Sequence, residues 1–239
     1  MTEEVAIHFL HHSGFVVDLS DALLVFDYYK DPEGVLKKIL KTTEKPLYFF
    51  VSHVHGDHFN PEAISAYKGR ASGYFLHEDC RRPEGYFGSR AVYMEKGDTA
   101  SVTEFSVVMT GSTDTGGSYW ISWKGFSLFH AGDLNWWHWA GEKDEDNREA
   151  RAMYFKELSD LSGRAADLAF FPVDARQEVA REWGVTAFLE AVPVKCLIPM
   201  HAFGSRWNPS YTFRWRFPDL PLWIPEEDGA SFHLTLTKS

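Results

Sequence analysis

The sequence has few cysteines, no strongly basic tract and no long apolar run. Its 239 residues include two cysteines, Cys80 and Cys196, too few for a disulfide framework. No apolar run approaches the roughly 18 residues that a membrane span needs, and the acidic N-terminus lacks the pattern of a signal peptide. We therefore expect a protein of the reducing cytoplasm that has no membrane partner.

The charge balance excludes a second class of partners. The net charge is −10, and no stretch of five or more residues is rich in lysine and arginine. Nucleic acids and anionic membrane surfaces both require a positive face on the protein. We therefore expect that this protein does not bind nucleic acid. The composition leaves its oligomeric state open.

One short stretch, Ser52 to Asn60, concentrates side chains that can bind a metal. It holds His53, His55, Asp57 and His58. The stretch directly follows an apolar run at 47–51, which predicts a buried strand. It therefore lies on a loop at the end of a strand, where α/β folds place their chemistry. Neutral imidazoles and carboxylates are ligands for zinc, iron or manganese, so the stretch predicts a metal site.

Other strand-like runs also end in polar side chains. They are followed by Asp27, by His130 and Asp133, by Asp174 and by His201. Two β-rich halves, separated by segments with helical patterns, suit an α/β architecture in the form of a four-layer αββα sandwich. The length predicts a single domain over residues 1–239.

The spacing His53-x-His55-x-Asp57-His58 resembles the signature of the metallo-β-lactamase-fold hydrolases. The resemblance extends from about Phe9 to about His201 and includes three further landmarks in the family's order. They are an opening hairpin that ends at Asp27, the Gly-Asp motif at 129–133 and a strand that ends at His201. The last two segments are most similar to the branch that contains ascorbate-phosphate lactonase and many uncharacterised hydrolases.

The resemblance implies a two-ion site. Site one takes His53 and His55, and site two takes Asp57, His58, Asp133 and His201. The family's third histidine of site one is missing from this sequence. Its place falls nearest Ser112, and Asp114 is an alternative oxygen donor. This pattern implies zinc, with iron or manganese as alternatives, and one tightly bound ion at site two.

Further residues are expected around the ions. Asp27, His130 and Asp174 are candidates to accept hydrogen bonds from the ligand imidazoles. Capping of strand ends explains Asp27 and Asp174 equally well. Asp57 is the candidate catalytic proton acceptor. In the aromatic segment at 136–139, we expect Trp136 or His138 to face the cleft, unless the segment only packs against the following helix.

The resemblance implies a metal-dependent hydrolase of a small molecule. The candidate bonds are a lactone or other ester, and a phosphodiester, attacked by a water that the metal activates. The missing histidine suggests an alternative, a non-catalytic or regulatory relative that uses a degenerate metal site to bind a ligand. A di-iron oxidoreductase is disfavoured because such chains carry an additional flavin domain.

Overall fold

The computed structural model describes residues 2–238. Its strands form two mixed sheets. The first sheet has the order β13-β1-β2-β3-β4-β5-β6 and consists of β1 Thr2–His11, β2 Gly14–Asp18, β3 Leu23–Phe26, β4 Leu47–Val51, β5 Gly73–His77, β6 Ala91–Met94 and β13 Ser231–Thr237. The second has the order β12-β11-β10-β9-β8-β7 and consists of β7 Thr99–Ser101, β8 Phe105–Thr110, β9 Ser118–Trp123, β10 Phe126–His130, β11 Leu168–Pro172 and β12 Leu197–Met200.

The helices cover the outer faces of the two sheets. They are α1 Val35–Ile39, α2 Pro61–Ser65, α3 Asp144–Ser159, α4 Trp183–Ala191 and α5 Tyr211–Arg216. Leu36 and Ile64 pack with the outward side chains of the first sheet. Tyr154 and Phe188 belong to the core that also fills the space between the sheets. The predicted αββα sandwich is confirmed.

The interior strand β4 explains why the sequence has an unbroken apolar run at 47–51. All its residues are buried, because both of its faces are covered. Phe50 points toward the second sheet and its ring lies 5.2 Å from that of Tyr119. Its neighbour Phe49 points the opposite way and stacks on Tyr74 at 5.5 Å. A strand with two buried faces has no polar positions to alternate with apolar ones.

Parallel pairing sets the place of the site. In the first sheet β3 and β4 run parallel, and in the second sheet β10, β11 and β12 run parallel. The loops that follow the carboxyl ends of parallel strands meet at one edge of their sheet. These loops carry the polar residues singled out in the sequence. Within residues 2–238 no helix is both long and apolar enough to cross a membrane.

Candidate metal centre

The structure brings the six predicted metal ligands into one cleft. His53, His55, Asp57 and His58 follow β4, Asp133 follows β10 and His201 follows β12. The ring centroid of His53 lies 4.1 Å from that of His58 and 4.6 Å from that of His55. His201, from the far sheet, lies 5.6 Å from His58. The edges of the two sheets therefore supply one cluster.

Asp133 occupies the middle of this cluster and is only 5% exposed. Its Oδ1 lies 3.2 Å from His58 Nε2 and 3.4 Å from His201 Nε2. Its Oδ2 lies 3.5 Å from His53 Nε2. The carboxylate thus faces two groups of imidazoles at once, as a bridge between two ions requires.

Hydrogen bonds behind the cluster fix which ring nitrogens face it. The Ser52 hydroxyl donates to Asp27 Oδ2 at 2.8 Å, so it must accept from His53 Nδ1 at 2.9 Å. His58 Nδ1 also donates to Asp27 Oδ2, at 2.8 Å. Both rings therefore turn the lone pair of Nε2 toward Asp133. The hydrogen bond expected of Asp27 is present.

Asp174, which follows β11 in the second sheet, orients a histidine in the same way as Asp27 does. His201 Nδ1 donates to Asp174 Oδ2 at 3.1 Å, which leaves Nε2 as the free nitrogen. Asp174 also accepts from the Arg176 guanidinium at 2.6 Å. The buried carboxylate is thus paired on both sides, and the His201 ring is held in one orientation.

Asp27 and Asp174 accept hydrogen bonds from predicted metal ligands, but His130 does not, contrary to what was expected of it. Its Nε2 lies 3.0 Å from the carbonyl oxygen of Ser13, and its Nδ1 accepts from Gly132 N at 3.3 Å. Its ring stacks on Phe26 at 4.8 Å. Because these contacts occupy both nitrogens, the ring ties the β1–β2 turn to the loop before Asp133.

The structure adds His12, which the sequence analysis did not identify as a site residue. It lies in the turn between β1 and β2 with a left-handed φ of 58°, and its side chain is 7% exposed. Its Nε2 lies 3.5 Å from Asp57 Oδ2, and its ring centroid lies 4.2 Å from that of His201. A lone histidine in a turn has no motif spacing, and its neighbours come from distant parts of the chain.

The donor atoms form two groups that suit metal ions. One comprises His12, Asp57, His58 and His201, and the other comprises His53, His55 and Asp133, with the atoms of each group within 4.8 Å of one another. Donors bound to one ion lie roughly 3–4 Å apart. Within residues 2–238, eight buried side-chain nitrogen and oxygen atoms find no hydrogen-bond partner, and four of them belong to these two groups: His12 Nε2, His53 Nε2, His58 Nε2 and Asp133 Oδ1. Ions bound at the two groups would satisfy all four atoms.

Charge within the cluster also suits metal binding. Burial, with His201 close by, lowers the pKa of His12 to about 2, and burial, with His58 close by, lowers the pKa of His53 to about 4. Burial alone would raise the pKa of Asp133, but His58 and His201 outweigh it and hold that pKa well below its usual range. Burial alone would lower the pKa values of His58 and His201, but the neighbouring carboxylates outweigh it and raise both. Metals bind neutral imidazoles and ionised carboxylates, so metal binding at His58 and His201 is coupled to the release of protons.

The place of the missing histidine is taken by the β8–β9 loop. Ser112 does not line the cleft, and its hydroxyl accepts a hydrogen bond from Asp114 N at 3.4 Å. Thr113 and Asp114 do line the cleft. The Thr113 hydroxyl donates to the carbonyl oxygen of Asn135 at 2.6 Å and so anchors the loop that carries Asp133.

The aromatic segment faces the cleft with different residues from those expected. The cavity of about 510 Å³ above the cluster is lined by Trp137 and Trp139. The expectation for Trp136 and His138 was wrong, since both rings pack on Trp183, with centroids at 5.2 and 4.7 Å. A tight turn within the segment, closed by a hydrogen bond from His138 N to the carbonyl oxygen of Trp136 at 2.8 Å, lies between the pair that meets the cavity and the pair that meets α4.

Comparisons with known proteins identify the fold. No protein-family model matches the chain, and no curated protein matches it. Among solved structures, Igni18, a metallo hydrolase from the archaeon Ignicoccus hospitalis, aligns with a TM-score of 0.62 and 17% identity over 99% of this chain and 100% of its own. The metallo-β-lactamase fold protein YhfI from Bacillus subtilis aligns with a TM-score of 0.61 and 13% identity over 97% of this chain and 99% of its own.

A third similar structure is CmlA, a diiron β-hydroxylase from Streptomyces venezuelae. It aligns with a TM-score of 0.57 and 12% identity over 83% of this chain and 45% of its own. At these identities the likeness concerns the fold. The chain has the metallo-β-lactamase fold, with a His/Asp cluster at the edge where its two sheets meet.

Proposed function

We propose that this protein is a metal-dependent hydrolase of a small molecule, with a lactone or other ester, or a phosphodiester, as the bond that it cleaves. The observation that carries the proposal is the set of unpartnered, buried donor atoms beneath an open cavity. Buried polar atoms without partners cost about 1–3 kcal/mol each, which metal binding offsets. The description of Igni18 as a metallo hydrolase supports the same conclusion.

Zinc is the proposed ion, because imidazole nitrogens and carboxylate oxygens are common zinc ligands. Iron and manganese accept the same donors, and the similar protein CmlA is a diiron enzyme. When bound, such an ion lowers the pKa of water and polarises the bond under attack. The chain's own contribution is to hold the rings of His53, His58 and His201 in fixed orientations, through hydrogen bonds to Ser52, Asp27 and Asp174.

Asp57 is the proposed proton acceptor. Its side chain is 39% exposed, whereas Asp133, which also lines the cavity, is only 5% exposed. One carboxylate oxygen of Asp57 faces His12, and the other is free to take a proton from water or give it to a leaving group. Of the two carboxylates in the cluster, Asp57 is therefore the one better placed to exchange protons with a substrate.

The cavity favours a small substrate. Its volume of about 510 Å³ lies in the usual range for small-molecule sites. The stacked indoles of Trp137 and Trp139, with centroids 5.7 Å apart, form an apolar wall. Arg176 is the single guanidinium in the lining. A compact ester or phosphodiester with an apolar leaving group fits this lining.

The test is a hydrolysis assay on purified protein loaded in turn with zinc, manganese and iron. Substrates are a generic lactone, an aryl ester and a bis-aryl phosphodiester. We expect turnover that chelation abolishes and metal restores, and that Asp133→Asn eliminates. The matched control is Asp228→Asn, which changes a surface carboxylate paired with His11 and should leave the rate unchanged.

Tight metal binding without turnover of any substrate would overturn the proposed activity. Such a result would favour the alternative of a ligand-binding relative. Turnover that persists after complete metal removal would equally contradict the proposal, because the proposed nucleophile is a water that the metal activates.

A further inference from the structure

We infer that His12 is a metal ligand of site two. With this fifth ligand, the two sites have different roles. Site two is enclosed by five protein donors and anchors its ion. Site one, with three donors, is where water and substrate bind. This inference rests on the proposed function, since it assigns roles within the same site.

The first argument is the environment of His12. Its ring is held between His201 at 4.2 Å and Phe203 at 4.7 Å, and its carbonyl oxygen accepts from His201 N at 3.2 Å. The buried Nε2 finds no hydrogen-bond partner among residues 2–238. An unpartnered buried nitrogen and a left-handed backbone both destabilise the fold. A histidine that served only for packing would have no interaction that offsets these two effects.

The second argument is the count of donors. The atoms of His12, Asp57, His58 and His201 lie within 4.8 Å of one another, and Asp133 Oδ1 lies within 3.4 Å of both His58 and His201. Five donors are one more than the four that a structural zinc site ordinarily takes from the protein. No position then remains at this ion for a water or a substrate.

The third argument is the openness of the other group. Site one has His53, His55 and Asp133 Oδ2, and His55 is exposed toward the cavity. Two histidines and one carboxylate with a free position are a common donor set of catalytic zinc. The absence of a third histidine therefore leaves a reactive site, and it does not require a loss of activity.

The first experiment measures metal retention without any assay of activity. Parent protein, His12→Asn and the control His11→Asn are loaded with zinc, dialysed and titrated with a competing chelator. Asparagine tolerates the left-handed backbone of residue 12 but is too short to reach the ion. We expect the tightly held zinc to bind at least about tenfold more weakly in His12→Asn and unchanged in His11→Asn. Equal affinity in parent and His12→Asn would overturn the inference.

The second experiment identifies the open site with cobalt(II), whose visible absorption reports coordination. With one cobalt per chain, the parent should give the weak absorption of a five-coordinate ion, and acetate should not change it. With two, acetate should alter the spectrum of the second ion. A response to acetate at one cobalt per chain would overturn this assignment of roles. Near-ultraviolet circular dichroism of the metal-free variants separates loss of a ligand from loss of the fold.

The outcomes also separate this inference from the proposed function. Weakened binding in His12→Asn without hydrolysis in any protein would overturn the proposed activity and leave His12 as a ligand. Metal-dependent hydrolysis with unchanged zinc affinity in His12→Asn would do the reverse.

Discussion

At the scale of single residues, the site depends on carboxylates that are buried behind the metal ligands. Asp27 accepts hydrogen bonds from Ser52 N and from the Ser52 hydroxyl, both at 2.8 Å, and from His58 Nδ1. Burial would raise its pKa, but the neighbouring His58 outweighs this effect and lowers it. Asp27 itself has a left-handed φ of 43°. One residue thus orients two imidazoles at the expense of backbone strain.

We predict that Asp27→Asn weakens both the fold and metal binding. The amide keeps the shape and tolerates the backbone, but it cannot accept all three hydrogen bonds. The free energy of unfolding should fall by about 3 kcal/mol, as for other broken buried pairs, and metal affinity should fall about 10–100-fold. Urea unfolding and chelator competition measure the two effects.

The matched control for this change is Asp228→Asn. It breaks another histidine–carboxylate pair with a 2.8 Å contact, but this pair is about one third exposed. We expect a change below about 1 kcal/mol and no change in metal affinity. Similar losses in both variants would show that burial is not what makes Asp27 important.

The sequence predicts these residues to different extents. His53, His55, Asp57 and His58 were predictable because they form one local pattern after a buried strand. His12 was not predictable, because what gives it a role is proximity to His201 across the two sheets. Trp137 and Trp139 were missed because the sequence does not specify which side of the segment at 136–139 meets the cavity.

At the scale of secondary structure, strands were easier to predict than the ends of helices. The apolar run at β4 matches the observed strand. The pattern at Asp31 predicts a helix from there to about residue 41, but α1 begins at Val35, because Gly34 has a φ of 62°. Asp31 still caps it by accepting from Val35 N at 2.8 Å. The apolar pattern at 178–191 likewise predicts a helix that is longer than the observed one, because Glu178 has a φ of 51° and lies in a 3₁₀ segment, and α4 begins only at Trp183.

We predict that Gly116→Ala disrupts the β8–β9 loop and the orientation of His53. Gly116 has a φ of 85°, and a Cβ there would overlap Ser52 O and His53 Cβ. The combined strain and overlap should cost at least about 3 kcal/mol of unfolding free energy. Urea unfolding measures this cost, and zinc titration measures the displacement of His53.

Gly163→Ala separates backbone strain from steric overlap. Gly163 has a similar φ of 79°, but a Cβ there would meet no heavy atom within 4 Å among the described residues. We expect a cost of about 1 kcal/mol and unchanged zinc affinity. If the two glycines proved equally tolerant, the close packing of the loop on His53 would be contradicted.

Strand β1, which pairs with β13 and β2, supplies a prediction about pH. Burial is the largest influence on His8 in β1 and lowers its pKa; Asp18 opposes this effect and His233 adds to it. The unfolded chain binds a proton at this histidine near pH 6.5, whereas the folded chain resists it. The contribution of neutral His8 to the free energy of unfolding is therefore fully present above pH 6.5. It is lost as the pH falls below 6.5 toward and through the lowered pKa of the folded chain.

The measurement is urea unfolding of metal-free parent protein and His8→Gln at pH 7.5 and pH 5.5. Because glutamine does not titrate, the variant should lose less stability on acidification than the parent does. A larger loss in the variant would mean that the pKa of His8 is raised in the fold.

At the scale of the whole molecule, the fold was predictable because its landmarks occur in order along the chain. The layers and the convergence of the strand ends follow from that order. The substrate does not follow from it, because the cavity is lined by parts of several loops whose joint shape is a property of the folded chain. Net charge, in contrast, is a property of the whole molecule that can be counted directly from the sequence.

Charge at the cavity has the same sign as the charge of the whole protein. The net charge is −10. Asp114, Glu142 and Asp146 line the cavity, whereas its guanidinium, on Arg176, is paired with Asp174. A polyanion that approached this mouth would therefore be repelled, and two divalent ions at the cluster offset only part of the net charge.

We predict that the protein does not bind nucleic acid at physiological salt. Binding to a phosphate backbone draws its affinity from lysine and arginine that displace counterions, and this chain has no cluster of them. Fluorescence anisotropy with a random DNA duplex and a single-stranded RNA should show no binding up to about 10 μM, a concentration within the range of about 1–100 μM that is typical of non-specific dissociation constants. The titrations should be run with and without zinc, because bound ions add positive charge at the cavity. Sub-micromolar binding that weakens steeply with salt would contradict the prediction and would make a nucleic-acid phosphodiester a candidate substrate.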